Sequence, residues 1–403
     1  MPLARRILLQ ALAALFLAGT VAAAGAVSLT ATPSGNAFHA SVPAAILIDA
    51  ASNSVLFAKN ADQLIEPASL AKLMTLEYAF NAIKRGRLKL GDAFAISENA
   101  WRKGGAPSHG STMFAAIHSR ATVDDLIRGI IVDSANDACI ALAEGLAGNE
   151  AAFARLLTER ARRIGLEIST FTNATGYSDP GLRMTARELA ELARHIIKAY
   201  PDFYPYFAQR EFTWNNIRQQ NRNPLLAMGI GADGLKTGSN SEAGFNLVGS
   251  AADSGGLRLI VVIIGAKSAK ERAEEARKLL EWGFQGFKPR LLFAKGQTIG
   301  EAKVFGGETR YVSLVGFGAV RVMVPRDGDA RLLARVVYTG PVPAPVHKGQ
   351  KIGKLKVWRG DDLVLEVPLV AAENVGSGTL SQRAMDAAAE LMIGLFRAGI
   401  DRL

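Results

Sequence analysis

The sequence predicts an α+β fold: an antiparallel sheet with helices and an inserted helical subdomain, then a small all-β C-terminal domain and a terminal amphipathic helix. Three observations carry this. Two short apolar runs, Ala44 to Asp49 and Ser54 to Ala58, flank Ala51-Ser52-Asn53 and read as a β-hairpin. Helical patterns then dominate as far as Ala199, and strand-like runs return only from Gly234 on. Composition changes again near Lys288-Pro289, where Gly, Asp and Pro begin to separate short β-like runs.

The chain's 403 residues are 49% hydrophobic and 21% charged, enough for two or three domains with sizeable cores. The formal net charge is +10, with the cations scattered rather than gathered in a block. That balance suits solubility or attraction to an anionic surface, and no nucleic-acid motif accompanies it. Cys139 is the single cysteine, which excludes an intrachain disulfide and a cysteine-based zinc site. The five histidines stand far apart, with no helical metal spacing and no H-E-x-x-H, so neither a metal nor another cofactor is expected.

Residues 1 to about 26 read as a signal peptide: Arg5 and Arg6, an apolar core from Ile7 to Leu17, and Ala22-Ala23-Ala24 as the cleavage site. A small, polar and disordered lead follows to about Ser41. After the hairpin, an apolar helical run starts beside Ser69, and Arg87 to Ile96 reads as loop and strand. Thr122 is the expected N-cap of the next helix. Further helices are expected over Ala135 to Leu146, Glu150 to Ile164 with Gly165 as its stop, and Thr185 to Ala199. Thr185 and Glu188 have capping-box spacing. Asn246 to Ser250 and Leu257 to Gly265 read as strands, and Glu271 to Phe284 as the helix closing the unit. The parts thus divide as 41–287, 288–375 and 376–403. In the last, Arg383, Asp386, Glu390, Arg397 and Asp401 share one narrow helical face, and the rest is mostly apolar. Such a helix lies in a membrane surface, held by hydrophobic contact because the charges nearly balance. The competing expectation is docking on its own protein or on a partner helix.

Three short patterns carry chemistry. Ser69 and Lys72 are one helical turn apart, so a hydroxyl and an amine share a face. Alone, such a pair is more often an N-cap serine followed by a solvated lysine. Ser134-Ala135-Asn136 opens a helix, and Lys236-Thr237-Gly238 falls on a strand-like stretch. Acyl transfer needs a nucleophile, a base, a proton relay and a grip on the substrate. Ser69 can attack, Lys72 can take its proton once neutral, and burial near a second cation such as Lys236 favours the neutral form. Ser134 can relay a proton, Asn136 can bind an amide, and Lys236 with Thr237 can hold a carboxylate. Gly238 lets a substrate backbone approach.

Other matches are decoys. Ser34-Gly35-Asn36 precedes the nucleophile, and Ser97-Glu98-Asn99 reads as a strand end. Gly229 to Gly234 fits G-x-G-x-x-G but leads into a strand rather than a helix. Asn173-Ala174-Thr175 is a glycosylation sequon that reads as a loop.

In order and spacing the three patterns resemble those of the serine penicillin-recognising enzymes, and more closely the low-molecular-mass penicillin-binding proteins that are D-alanyl-D-alanine carboxypeptidases. The resemblance covers nearly the whole chain. It includes Pro67 to Thr75, Ser97 to Trp101, Gly110 to Phe114, Ser134 to Cys139, Asn173 to Gly176, Asp233 to Gly238 and Gly244 to Leu247. It implies a β-lactamase/transpeptidase-like domain, with Ser69 as acyl-ester nucleophile, Lys72 as general base and Ser134 in the proton relay. Asn136, Lys236, Thr237, Gly238 and Ser239 would bind substrate, and the backbone N–H groups of Ser69 and Ser239 would form the oxyanion hole. The implied partners are the peptidoglycan pentapeptide, β-lactam inhibitors and, through the terminal helix, the periplasmic surface of the inner membrane.

Ala71 stands where this family usually has Thr, Ala135 where Gly is common, and Ser239-Asn240 replaces the frequent His-Thr or Tyr-Thr. These departures bear on rate and substrate preference. The alternatives are an endopeptidase or transpeptidase with the same residues, a β-lactamase, or a non-catalytic wall-binding protein. No Glu-x-x-Leu-Asn pattern lies between Ser134 and Lys236 to supply a β-lactamase's deacylating carboxylate.

Overall fold

The computed structural model describes residues 38–327 and 331–400, with the backbone alone for 392–400. The expected signal peptide lies outside the described residues. The chain divides into two compact units, one built from the described residues up to Pro289 plus Met323–Asp327, the other from the remainder.

The first unit begins with the expected hairpin, β1 (Ala44–Asp49) and β2 (Val55–Lys59). A helical block follows: α1 (Lys72–Lys84), the short strand β3 (Ala93–Ala95), α2 (Glu98–Gly104), β4 (Arg120–Thr122), α3 (Val123–Arg128), α4 (Asn136–Ala147), α5 (Glu150–Arg163) and α6 (Ala186–Ala199). A small hairpin, β5 (Glu211–Trp214) with β6 (Ile217–Gln220), leads to three long strands, β7 (Ala232–Asn240), β8 (Gly244–Ala252) and β9 (Arg258–Ala266). Helix α7 (Ala269–Gly286) closes the unit. The main sheet has the order β2-β1-β9-β8-β7, and its pairings are antiparallel, so strands from both ends of the sequence meet at the β1–β9 ladder.

Why the central strands are apolar on both sides follows from this layering. In β1, Ala44, Ile46 and Ile48 join the larger core with the helical block, whereas Ala45 and Leu47 pack with Leu279 and Leu280 of α7. In β9, Ile260, Val262 and Ile264 face the first core while Leu259, Val261 and Ile263 face the second. Truncating one of these fully buried side chains to Ala would cost about 2–5 kcal/mol.

Helix starts follow side-chain chemistry legible in the sequence. Thr122 Oγ1 accepts from Asp125 N at 3.1 Å, as expected of a cap. Thr185 likewise accepts from Glu188 N at 3.1 Å. Glu188 does not complete the box; its carboxylate receives Ile168 N at 2.9 Å and Ser169 N at 2.7 Å, tying a loop to α6. Ser97 is not a strand end. It caps α2, accepting from Ala100 N at 2.9 Å. The end of the expected disordered lead is ordered too: Phe38 packs on Phe57 and Trp282, with ring centroids 5.4 and 5.6 Å away.

Helix α1 is held from behind by a buried carboxylate. Glu77 pairs with Arg160 at 2.7 Å and accepts from the Tyr200 hydroxyl at 2.7 Å, with His195 Nε2 3.0 Å away. Three partners offset the desolvation of that charge, and removing Arg160 would take away its permanently charged one.

The chain crosses between units within β10 (Phe287–Phe293) and β13 (Val320–Pro325). The second unit is a six-stranded sheet, as the composition change predicts. It holds β11 (Gly300–Phe305), β12 (Tyr311–Gly316), β14 (Leu332–Tyr338), β15 (Val342–Pro343), β16 (Lys351–Arg359) and β17 (Asp362–Ala371), in the order β14-β16-β17-β12-β11-β15. The terminal helix α8 (Leu380–Ile400) follows.

Candidate active site

The site is assembled in the first unit from α1, the start of α4, the Asn173–Tyr177 loop and the edge strand β7. Ser69 does not cap α1. It lies in a 3-10 turn, Ala68–Ala71, that precedes the α-helix, and neither start has a side-chain cap. That leaves its half-buried hydroxyl free for Lys72, whose Nζ lies 2.7 Å from Ser69 Oγ. The solvated-lysine alternative fails as well, because Lys72 is fully buried. Its Nζ also donates to the Thr175 carbonyl at 2.5 Å.

Gly176 explains how that loop comes so close. Its φ is +83°, and a Cβ there would stand 2.0 Å from the Ala68 carbonyl oxygen. Only glycine fits between the loop and the Ala68–Ala71 turn. Asn173 shapes the loop, its Oδ1 accepting from the backbone N–H of Thr175, Gly176 and Tyr177 at 3.1, 2.7 and 3.2 Å. The sequon is therefore a loop, as expected, and its Asn side chain is occupied.

A second serine–lysine pair faces the first. Ser134 has φ +59°, uncommon for a residue with a side chain, at the bend between a π-turn and α4. Lys236, buried in β7, donates to Ser134 Oγ at 2.9 Å and to the Thr237 carbonyl at 3.2 Å. Asn136 is buried on the first turn of α4 and donates to Tyr177 OH at 3.0 Å; that hydroxyl in turn donates to Lys103 O at 2.6 Å. Asp137 behind it receives Thr112 Oγ1 and the N–H groups of Met113 and Ala115 at 2.6, 3.1 and 3.1 Å. Strand β7 runs past Ser69: a Cβ on Gly238 would sit 3.0 Å from both Ser69 N and Leu70 N. Thr237 is buried beside it and Ser239 is exposed.

Electrostatics favour a neutral amine at Lys72. Burial pushes its pKa down to about 8, with Arg222 lowering it further and Cys139 and Asp137 opposing. Arg222 thus adds to the expected Lys236, whose repulsion with Lys72 is mutual. Lys236 is itself pushed well below the ordinary lysine value, by burial first and then by Lys72 and Arg222. Asp133 is raised to about 7, chiefly by burial, and its Oδ1 has no partner. Cys139 is buried, as the sequence predicts, and burial pushes its thiol up to about 12, so it is inert.

All eight residues singled out in the sequence fall on these elements, and the structure brings Ser69 to Lys72 and Ser134 to Lys236. Sequence reasoning missed Arg222, Tyr177 and the Thr175 carbonyl as parts of the site. Arg222 NH1 donates to Ser111 Oγ at 2.7 Å. No cluster of His, Cys, Asp or Glu suited to a metal occurs among the described residues.

Residues 30–268 match the family model described as D-alanyl-D-alanine carboxypeptidase, and residues 287–377 match that of the penicillin-binding protein 5 C-terminal domain. The chain is 38% identical over 344 residues to D-alanyl-D-alanine carboxypeptidase DacD of Escherichia coli K12, covering 85% of this chain and 88% of that relative. Among solved structures, penicillin binding protein 5 from Haemophilus influenzae matches with a TM-score of 0.70 and 35% identity, over 86% of this chain and 100% of that one. Penicillin-binding protein D2 from Listeria monocytogenes, in its ampicillin-bound form, matches with a TM-score of 0.55 and 27% identity, over 62% and 100%. The fold, the paired serine–lysine site and these likenesses agree, and the chain belongs to the D-alanyl-D-alanine carboxypeptidases, serine hydrolases of the penicillin-binding protein class.

Proposed function

We propose that this protein removes the terminal D-alanine from peptidoglycan pentapeptide stems through a Ser69 acyl-enzyme and that β-lactams acylate the same serine. The observation that carries this is the buried Lys72 ammonium position, 2.7 Å from Ser69 Oγ, with a pKa near 8. Lys72 takes the Ser69 proton as Oγ bonds to the carbonyl carbon of the penultimate D-alanine. Backbone N–H groups of Ser69 and Ser239 hold the developing oxyanion. The tetrahedral intermediate collapses with cleavage of the C–N bond, and Ser134, backed by Lys236, passes a proton to the leaving D-alanine amine. Water then attacks the acyl-ester, and Ser69 leaves as the free hydroxyl. Asn136 binds the stem's amide, and Lys236 with Thr237 holds the terminal carboxylate beside Gly238.

Residues 1–26 act as a signal peptide, 41–287 as the catalytic domain, 288–375 as a β-rich domain and 376–403 as an amphipathic anchor. The protein then works on the periplasmic side of the inner membrane. No helix among the described residues is long and apolar enough to cross a membrane.

The test is D-alanine release from a soluble pentapeptide, run beside penicillin labelling. Release with labelling at Ser69 is expected. Labelling without release would move the reading to an endopeptidase or a β-lactamase, and absence of both would leave a wall-binding protein.

A further inference from the structure

Helix α8 is docked inside out. Of its positions from Leu380 to Leu391, the half-buried ones are Asp386 and Glu390, and all others are exposed. Leu380, Met385 and Leu391 are 82%, 62% and 67% exposed. An amphipathic helix on its own protein normally buries its apolar side. Here the polar side is consumed instead. Glu390 pairs with Lys303 of β11 at 2.7 Å, and Asp386 accepts from Gly306 N at 2.8 Å. The entry to the helix is fixed too: Gly378 N donates to Gly306 O and Glu308 N to Gly376 O, each at 2.9 Å. Thr379 caps α8, with its own N–H donating to Gln382 Oε1 at 2.8 Å and its hydroxyl accepting from Gln382 N at 3.3 Å.

Lys303 pairs in register with Tyr311 of β12, so Tyr311 shares the face that holds the helix, and it is 54% exposed. The stretch from Lys288 to Val375 carries 14 Lys and Arg against 8 Asp and Glu, an excess of six within the chain's +10.

We propose that the β-rich unit and α8 form one clipped membrane-facing surface, in which Lys303 and Gly306 hold the helix's polar side so that its apolar side enters an anionic lipid surface and Tyr311 rests at the headgroup layer. This rests on the anchor reading of α8 above and deepens it: the strand edge, not the helix alone, sets which side meets lipid. The excess cations match anionic headgroups, and a tyrosine suits the boundary between acyl chains and water.

The test uses the full chain with single added cysteines, at Leu391 or Tyr311, since the native Cys139 is buried. Each is labelled with a fluorophore and quenched by aqueous iodide, with and without vesicles of phosphatidylglycerol and phosphatidylethanolamine. Vesicles should protect both labels. In a Lys303→Glu background the Tyr311 label should lose its protection while the Leu391 label keeps it, and adding Glu390→Lys should restore the first. Activity on soluble pentapeptide should not change. A Tyr311 label quenched equally with and without vesicles, beside a protected Leu391 label, would overturn the clip and leave the anchor standing. An unprotected Leu391 label would overturn both. Protection of Leu391 without vesicles, rising with protein concentration, would assign the apolar side to a second copy and overturn the proposal.

Discussion

The site holds two serine–lysine pairs that look alike and are built differently. Ser69 and Lys72 lie three residues apart on one turn, and their contact is a consequence of helical geometry. Ser134 and Lys236 are 102 residues apart, and their contact exists only because the edge strand β7 passes the bend before α4. The electrostatics differ as well. Each lysine also donates to a carbonyl, Lys72 to Thr175 and Lys236 to Thr237, but Lys72 has a pKa near 8, while Lys236 is pushed well below the ordinary lysine value by burial and then by Lys72 and Arg222. Two buried amines in one site cannot both stay charged cheaply, and Lys72, beside Ser69, is the one we propose as the base. The other is held below the ordinary lysine value chiefly by burial and then by its cationic neighbours, and a substrate carboxylate bound beside it would oppose that shift.

Substitutions can break this division of labour. Ser69→Ala should have the largest effect, lowering kcat for D-alanine release by about 10⁴-fold or more and abolishing penicillin labelling. A folded variant that still takes up label would refute the nucleophile. Lys72→Gln should cost about 10²–10⁴-fold through loss of the base. The wild-type rate should rise with pH through about 8, because Lys72 must lose its proton before it can accept one. In Lys72→Gln that limb should vanish from the kcat/KM profile. The folded Lys72 pKa lies below that of the unfolded chain, so unfolded protein binds more protons between about pH 8 and 10.5 and this group's contribution makes stability rise with pH across that window. Ser134→Ala should cost less than either, about 10²-fold in kcat, and leave penicillin labelling slowed rather than absent. Equal losses at Ser69 and Ser134 would dissolve the distinction between the pairs.

What the sequence disclosed follows the same divide between local and long-range contacts. The hairpin, the capped helices and the Ser69–Lys72 turn are short-range and were legible from periodicity and spacing. Ser97 was misread because a cap and a strand end share the same extended backbone; the seven-residue α2 behind it is too short to show a period. The pairing of Ser134 with Lys236 was reachable only by treating the motifs as a set. Arg222, which sits on a loop after the β5–β6 hairpin, carried no local signal, although it lowers the pKa of both lysines. Thr175 acts through its carbonyl, and a backbone oxygen leaves no side-chain signature. Gly176 was the visible trace of that approach, since a glycine with φ +83° admits the contact.

Gly176→Ala would test that trace. A Cβ 2.0 Å from the Ala68 carbonyl, at a left-handed φ, cannot be accommodated without moving the loop. The expected cost is about 3 kcal/mol of stability, read from denaturant midpoints, with Thr175 drawn away from Lys72 and, because a carbonyl acceptor stabilises the ammonium, a shift of the rising limb to lower pH. A stable variant with an unchanged profile would mean that the Thr175 carbonyl does not tune the base.

Tyr177→Phe is the mildest probe and the most selective for the substrate side. The phenol accepts from Asn136 Nδ2 at 3.0 Å and donates to Lys103 O at 2.6 Å, so it ties the first turn of α4 to the end of α2. Neither serine–lysine pair is touched. Removing one hydroxyl forfeits about 1 kcal/mol in ordering Asn136, which should raise KM several-fold and leave kcat nearly unchanged. The pH profile should keep its limb near 8, because Lys72 bonds Ser69 Oγ and the Thr175 carbonyl rather than this hydroxyl. If kcat fell and KM held, Asn136 would be placed with the reacting bond, and the split between a proton-handling side and a peptide-gripping side would need to be redrawn.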